Sequence, residues 1–186
     1  ILAKNLLGTT YREMGDYDKA MEIYTPALIQ SEELSDKQGM GYSLKSIGNV
    51  HHERGDYNKS LDCYERSLAI SEELGDKLGI GNSLNNIGLV HRNKGDYDKA
   101  LDYLERSLPI HEELDNKLGM GNCLHNIGLM HKYEGALYYY DRSLIIREEL
   151  GDKRGMGHSL CNTGIVHMNK GDNDKALDYY ERSLAI

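Results

Sequence analysis

The sequence lacks most of the residues from which one large hydrophobic core, or a small cross-linked one, is built. Its 186 residues include no Phe, no Trp, two Pro and three Cys. The cysteines Cys63, Cys123 and Cys161 have no paired spacing, so we expect no disulfide framework and a reducing, cytoplasmic compartment. Fourteen Tyr residues are left to supply the aromatic packing. A single large core is therefore not expected.

Further absences restrict the possible partners. No apolar run approaches the roughly 20 residues that cross a bilayer. The formal net charge of -8 argues against a general nucleic-acid or anionic-membrane binder. We therefore expect neither a nucleic acid nor a membrane as partner. No signal peptide is visible, and the chain opens at Ile1 partway through a predicted helix, which indicates a fragment of a longer protein.

What the sequence does contain is an internal repeat with a period of 40 residues. Residues 41–80 match residues 81–120 at more than half of their positions, and the triplet Gly-Asp-Tyr recurs at Gly15, Gly55 and Gly95. A fixed period of about 20–50 residues with one supersecondary unit per period is typical of a solenoid. The whole chain is predicted to be one array, with repeats at residues 1–40, 41–80, 81–120, 121–156 and 157–186.

Each repeat is predicted to form a hairpin of two helices. Leu84, Ile87 and Val90 recur at steps of three, which places them on one face of a first helix. Gly95 can end that helix in a left-handed conformation, and Asp96 can cap the second helix by accepting bonds from its free N–H groups. A column of glycines at equivalent positions is predicted to let the two helix backbones approach closely. The glycine column comprises Gly8, Gly48, Gly88, Gly128 and Gly164, and the small column facing it comprises Ala20, Ser60, Ala100, Ala136 and Ala176.

This pattern of a Leu, an Ile-Gly pair, a ring residue and Gly-Asp-Tyr followed by Ala or Ser resembles the tetratricopeptide repeat. The repeat length, with Gly-Asp-Lys-x-Gly-x-Gly before each first helix, is similar to the long-helix branch found in Leu-Gly-Asn repeat polarity adaptors and kinesin light chains. The resemblance covers essentially the whole chain. It implies an all-α fold, an α-solenoid of five helix-turn-helix hairpins wound into a right-handed superhelix. Such membership determines the fold far better than the function.

Two features interrupt the regular pattern. The fourth repeat lacks four residues, because Gly135 is followed directly by Ala136. Four residues are close to one helical turn, so we expect the second helix of this repeat to lose its first turn, with its Asp cap and its Tyr, while its apolar stripe keeps its phase. Pro26 and Pro109 fall inside predicted second helices, and we expect a kink at Pro26.

Two patterns resemble cofactor or catalytic sites, and each has a structural interpretation that fits better. The Gly-x-Gly pairs, such as Gly79 and Gly81, lack the third glycine and the preceding strand of a dinucleotide site, so we interpret them as close-packing residues. Paired glutamates such as Glu72 and Glu73 point about 100° apart on a helix and form a solvated face. We therefore expect no cofactor.

The histidines suggest a metal site, which the predicted spacing argues against. Equivalent residues in stacked hairpins lie roughly 10 Å apart, too far to share one ion. The ring residues that recur in every repeat are therefore interpreted as packing residues between helices. This ring column comprises Tyr11, His51, His91, His131 and His167. We also interpret His125, His158 and Cys161 as polar groove residues, and we expect no metal.

The remaining face of each first helix is polar and differs between repeats. In the resembled family the first helices line a concave groove, and side chains at matching places hold a peptide. The resemblance implies that the groove residues of this chain are Asn5, Arg12, Lys45, Asn49, His52, Asn82, Asn85, Arg92, Asn122, His125, Lys132 and His158. Cations outnumber carboxylates on that face, which favours an acidic peptide. Arg92 and Lys132 occupy matching places on neighbouring repeats and are predicted to be its main anchors.

These patterns predict a protein-interaction scaffold or adaptor that docks a peptide segment of a partner protein. No arrangement of nucleophile, base and oxyanion donor can be assembled, so we expect no enzyme. The alternative is a regulatory or sensor region whose catalytic or DNA-binding domain lies elsewhere in a longer protein. The last helix carries an uncovered apolar stripe of Leu177, Tyr180 and Leu184, which predicts end-to-end self-association.

Overall fold

Residues 2–186 are described by the structure, a computed structural model that gives side chains from residue 4 onward. Over that range it contains ten α-helices and no strand, so the all-α prediction is confirmed. The helices are α1 Leu2–Glu13, α2 Tyr17–Glu33, α3 Lys37–Glu53, α4 Tyr57–Leu74, α5 Lys77–Lys94, α6 Tyr97–Glu113, α7 Lys117–Gly128, α8 Glu134–Leu150, α9 Lys153–Lys170 and α10 Asn173–Leu184. Ile1, at which the first repeat was predicted to begin, lies outside the described residues. Both α2 and α6 continue through their internal prolines.

The chain divides into two compact units, one that ends at Asp96 and contains α1–α5, and one that begins at Tyr97 and contains α6–α10. In the first unit α1 packs against α2 and α3 against α4 as hairpins, and α3 and α5 pack against the preceding hairpin. In the second unit α7 and α8 form one hairpin, and α9 and α10 form another. None of the helices in the described range combines the length and apolar character needed to cross a membrane.

The first helices begin about one turn earlier than the sequence predicted. They start at the lysine of each Gly-Asp-Lys or equivalent triplet, so the Gly-x-Gly pairs lie inside the helices and the predicted boundary is wrong. The reason is a cap on the preceding residue, because Asp76 Oδ1 accepts a hydrogen bond from the Gly79 N–H at 3.0 Å. Asp36, Asn116 and Asp152 cap α3, α7 and α9 in the same way. A Cβ on Gly79 would collide with Ser71 Oγ, which agrees with the close-packing interpretation.

Two of the aspartates that precede the second helices, Asp56 and Asp172, make no side-chain cap bond. The carboxylate of Asp56 lies 3.4 Å from Nδ1 of His51. Equivalent pairs join His91 to Asp96 and His167 to Asp172. Asp16, whose repeat carries Tyr11 in place of histidine, does cap α2 by accepting a bond from the Lys19 N–H. In the repeats with a histidine at this place, the carboxylate therefore lies beside the imidazole.

The glycine column makes room for tyrosine rings, which corrects the prediction of a direct approach between backbones. A Cβ built on Gly48 would lie 2.7 Å from Cε1 of Tyr64 on the facing helix. The same relation holds for Gly8 with Tyr24, Gly128 with Tyr140 and Gly164 with Tyr180. The small residues of the second helices are buried, as predicted, and Ser60 Oγ donates a hydrogen bond to the Gly48 carbonyl oxygen at 2.9 Å.

The deletion in the fourth repeat shortens the first helix, so the prediction that the second helix loses its first turn is wrong. Helix α7 has 12 residues, compared with 18 in α5, whereas α8 and α6 both have 17. Ala136 and Tyr140 of α8 belong to a buried cluster with Val166, and keeping them in place favours unwinding the C-terminal end of α7. Residues 129–133 then connect the two helices. Tyr133 precedes α8 without making a side-chain cap bond, so the predicted loss of the Asp cap does occur.

Candidate functional site

On each first helix, the side that carries the predicted groove residues is called the first-helix face, and it is described for each unit separately. In the first unit it includes a cleft of about 310 Å³ between α3, α4 and α5. Lys45 lines this cleft, with its ammonium group 5.0 Å from the centre of the Tyr42 ring. Burial lowers the pKa of Lys45, and the charge of Asp76 only partly opposes that effect. Within the described residues Lys45 forms no ion pair.

A second polar group in the same cleft is also unsatisfied. Ser83 on α5 is 1% exposed, and its Oγ has no hydrogen-bond partner within the part of the chain that the structure describes. A buried hydroxyl without a partner costs about 1–3 kcal/mol, which a bound acceptor or donor would recover. The cleft thus combines a poorly solvated cation with an unsatisfied hydroxyl, and this combination suits a small anionic group.

The other predicted cations of the first unit have partners. Arg12 forms an ion pair with Glu53. Arg92 donates to Asn93 Oδ1 from Nε and Nη2 at 3.2 and 3.1 Å. The Asn93 amide in turn lies 2.8 Å from Nε2 of His52, where burial and then the charge of Arg92 lower the pKa of the imidazole. These residues link successive repeats, so Arg92 is less available as an anchor than predicted.

The asparagines of the first unit differ in exposure. Asn5 is 3% exposed, its Oδ1 has no hydrogen-bond partner within the described residues, and unlike Ser83 it does not line the Lys45 cleft. Asn49 accepts a 2.6 Å hydrogen bond from the Tyr64 hydroxyl and helps to fix that ring. Asn82 and Asn85 lie partly exposed on α5, as a role on the first-helix face requires.

In the second unit, Asn122, His125 and His158 lie on α7 and α9 as predicted. Asn122 Oδ1 accepts a 3.0 Å hydrogen bond from Arg147, a buried guanidinium that also contacts Asp152 at 2.8 Å. Sequence reasoning missed Arg147, because its column holds Ser31 and Ser71 in the first two repeats. The feature that could have revealed Arg147 is the change in this column from serine in the first two repeats to arginine in the fourth.

His125 contacts α9 through both ring nitrogens. Nδ1 lies 3.5 Å from Ser159 Oγ, and Nε2 lies 3.3 Å from the Asn162 amide nitrogen. The His158 ring centre is 6.4 Å away. Among residues 4–186 no group of three His, Cys, Asp or Glu side chains is placed to hold a metal ion. The arrangement is a polar contact between α7 and α9.

Lys132 does not lie on a helix, so its predicted equivalence with Arg92 is wrong. It lies in the loop that replaces the end of α7, next to His131. The loop and α9 enclose a cleft of about 410 Å³, which is lined by His131, Lys132, Tyr133, Val166 and Asn169. In the other repeats the first helix is longer, and its last turns correspond to the loop that forms this cleft.

The ring column packs between helices, as predicted, in those repeats whose first helix is complete. His91 and His167 are each 8% exposed, and the His167 ring stacks on Tyr179 with the centres 5.4 Å apart. His131 has left the helix and stacks on Tyr139 at 4.9 Å. Its buried Nε2 has no hydrogen-bond partner within the described residues.

An exposed apolar stripe on α9 escaped the sequence analysis. Cys161, Ile165 and Met168 recur at steps of four and three, and Ile165 and Met168 are 39% and 49% exposed. Aligning the repeats by column would have shown it, because the corresponding positions of earlier repeats are mostly polar. The counterparts of Cys161 are Asn5, Lys45, Asn85 and His125, those of Met168 are Arg12, His52, Arg92 and Lys132, and those of Ile165 are Thr9, Asn49, Leu89 and Leu129.

Comparisons with known proteins agree with this architecture. The family model of the tetratricopeptide repeat matches residues 1–73, 79–135 and 129–186. No match was found among curated proteins. The crystal structure of BtubC (BKLC) from P. vanneervenii is similar, with a TM-score of 0.83, 22% identity, and 98% of this chain and 77% of that one covered.

Two further solved structures are similar at lower identity. One is the Rap conjugation gene regulator of plasmid pLS20 in complex with the Phr* peptide, with a TM-score of 0.82, 19% identity and 98% of this chain covered. This chain spans 52% of that regulator. The other is a putative kinesin light chain from Podospora anserina, with a TM-score of 0.73, 14% identity, and 98% of this chain and 92% of that one covered. Similarity at identities this low establishes the fold but does not identify a ligand.

Proposed function

Since this chain belongs to the tetratricopeptide repeat family, we propose that it is a non-enzymatic protein-interaction module that binds an acidic peptide segment of a partner on its first-helix face. The observation that carries the proposal is Lys45, a half-buried cation that forms no ion pair among the described residues and lies in a cleft with the unsatisfied Ser83 hydroxyl. A carboxylate bound there would restore the solvation that burial removes from the ammonium group. The similarity to a Rap protein in complex with a peptide supports this choice of ligand class.

The pKa of Lys45 gives the proposal a pH dependence. Burial disfavours the charged ammonium in the free protein, whereas a bound carboxylate favours it. The Lys45 contribution to peptide affinity should therefore be largest below the lowered pKa of free Lys45 and should decrease as the pH rises through that pKa. Added salt should also weaken binding, because part of the attraction is screened.

The experiment is affinity capture of partners on the purified chain, followed by titration of a synthetic peptide from the captured segment. Lys45→Glu should weaken binding by about tenfold or more. Lys59→Glu is the matched control, because Lys59 is an exposed lysine on α4, and it should change affinity by less than about twofold. Equal effects of the two variants, or binding that strengthens as the pH rises, would refute a role for the Lys45 cleft.

A second function is favoured by one comparison. The Rap protein is a gene regulator, and this chain spans 52% of it, so a regulatory or sensor region of a larger protein is the alternative. The two functions differ in the consequence of binding. If the peptide changes an activity located in a flanking domain of the full-length protein, the chain is a sensor; if it only recruits the partner, the chain is an adaptor.

A further inference from the structure

The first-helix face changes character on α9. At the columns of Cys161 and Met168 the earlier repeats present asparagine, lysine, arginine or histidine. The column of Ile165 holds Thr9 and Asn49 in the first two repeats and leucine in the third and fourth. Cys161, Ile165 and Met168 lie on one side of α9, because they are spaced by four and three residues. The opposite side is buried through Leu160, Thr163 and other residues. Met168 Sδ also lies 3.9 Å from the Tyr180 hydroxyl, but about half of its side chain and more than a third of Ile165 remain exposed.

The cleft beside this stripe contains cationic and polar groups without partners. Lys132 is exposed and forms no ion pair with the described residues, and the buried Nε2 of His131 has no hydrogen-bond partner among them. Val166 and Asn169 line the cleft from α9, and they lie next in sequence to Ile165 and Met168. The polar cleft and the apolar stripe thus occupy the same two turns of α9.

The loop that forms the cleft is held in an unusual conformation. Tyr133 has φ 48° and ψ −118°, a combination that favours glycine and strains a tyrosine. The ring of His131 is fixed against Tyr139, and Lys170 forms an ion pair with Glu134 that ties the start of α8 to the end of α9. The loop is therefore anchored on both sides of Lys132, and the cleft is preformed.

We propose that this cleft and the α9 stripe form one composite site for a peptide segment in which an acidic side chain neighbours aliphatic side chains. The carboxylate would lie in the cleft, where Lys132 supplies the charge and His131 Nε2 and Asn169 supply hydrogen bonds. The aliphatic side chains would cover Ile165 and Met168. This inference rests on the proposed peptide-binding function and differs from it in locating a second, partly apolar contact away from Lys45.

Charge and polarity select this occupant. A bare anion would leave the apolar stripe exposed, and a purely apolar segment would bury Lys132 and His131 without a partner, at a cost in desolvation. A segment that carries both groups satisfies both surfaces. Exposed apolar patches beside polar groups are typical of protein-binding surfaces.

The probe is a phage-displayed library of random dodecapeptides, selected on the purified chain and then tested as synthetic fluorescent peptides. Enriched sequences should pair Asp or Glu with nearby Leu, Ile, Val or Met. Lys132→Glu and Ile165→Asn should each weaken the selected peptide by about tenfold. Asparagine is the residue that the chain itself carries at the equivalent position of the second repeat, Asn49, so this change suits the helix.

Matched controls separate the site from general effects on charge and surface. Lys153→Glu changes an exposed lysine at the start of α9, and Ile145→Asn changes an isoleucine that is 56% exposed on α8. Both should leave affinity within about twofold of the wild type. Circular dichroism must show unchanged helicity for every variant, and Lys132→Ala serves as the milder change if Lys132→Glu unfolds the loop.

The outcomes distinguish this inference from the proposed function. If selected peptides respond to Lys45→Glu but not to Lys132→Glu or Ile165→Asn, the composite site is wrong and the proposed function stands. If the library yields no binding peptide, both are refuted. If binding needs Lys132 but requires a phosphorylated peptide and tolerates Ile165→Asn, the assignment of an acidic and aliphatic segment is overturned.

Discussion

At the residue scale, each of four hairpins closes on a glycine that faces a tyrosine ring. The pairing explains how a chain with no Phe and no Trp fills its interior. Tyr24, Tyr64 and Tyr140 are each less than 5% exposed. The ring occupies the space that a Cβ would need, so the glycine and the tyrosine act as one packing unit.

Two glycines of α3 allow a direct test of this packing. In Gly48→Ala the new Cβ would lie 2.7 Å from the Tyr64 ring, and we expect a loss of about 1–3 kcal/mol in the free energy of unfolding. In Gly41→Ala the Cβ would lie 3.5 Å from Ile70, an ordinary contact, and the better helix propensity of alanine should add up to about 1 kcal/mol. Denaturant unfolding followed by circular dichroism measures both. Equal changes in the free energy of unfolding for the two variants would show that the contact between Gly48 and Tyr64 does not contribute specifically to stability.

At the element scale, the shortening of α7 lowers the local stability of the segment that follows it. The final turns of α5 correspond in the fourth repeat to residues 129–133, which form a loop. The N–H groups of Met130 and His131 donate to carbonyl oxygens three residues back, as in a turn, at 2.9 and 3.2 Å. Such bonds are weaker than those of a continuous helix and lie near solvent.

We expect the backbone amides of residues 129–133 to exchange with solvent faster than those of the aligned residues 89–93 in α5. Hydrogen exchange followed by mass spectrometry measures the difference. The control inserts Asp-Tyr-Asp-Lys between Gly135 and Ala136, which restores the repeat length and should restore protection to the end of α7. Similar exchange in both segments of the unmodified chain would contradict the expected weakness.

How far the sequence could predict these elements depends on how local their causes are. The ten helices were predictable, because glycine and aspartate mark their ends and the apolar spacing marks their faces. The helix that would absorb the deletion was not, since four residues preserve the phase of either helix, and only the burial of Ala136 and Tyr140 decides between them. The pairing of Arg12 with Glu53 was equally hidden, because the two residues lie in different repeats.

The candidate site was predictable to a smaller extent. Residues could be assigned to the first helices from their spacing, and Asn82 and Asn85 lie on α5, His125 on α7 and His158 on α9. Their availability could not be assigned, since Asn5 is buried and Arg92 is engaged by Asn93. Lys45 differs from the other cations only through its surroundings, which the sequence does not display.

At the scale of the whole molecule, the exposed apolar residues of α10 predict self-association. Leu177 and Leu184 are 59% and 88% exposed, and nothing in the described part of the chain covers them. Burying apolar surface yields about 25 cal/mol per Å², so contact between such stripes on two copies is favourable. Sedimentation velocity should show a weight-average mass that rises with concentration. Replacing both leucines by glutamate should abolish the rise, whereas Ile145→Glu on α8 should preserve it; a concentration-independent monomer would refute the prediction.

The loss of the last turns of α7 also bears on cooperativity. In a repeat array, stability is approximately a sum of hairpin terms and nearest-neighbour coupling terms. The column that holds the fully buried Val50 and Val90 in the second and third repeats holds Met130 in the fourth, outside the helix and only partly buried. Coupling should be weakest at this hairpin, so unfolding should proceed in more than one step. A peptide that bridges the loop and α9 would then act as a folding partner, and its binding would merge those steps into one.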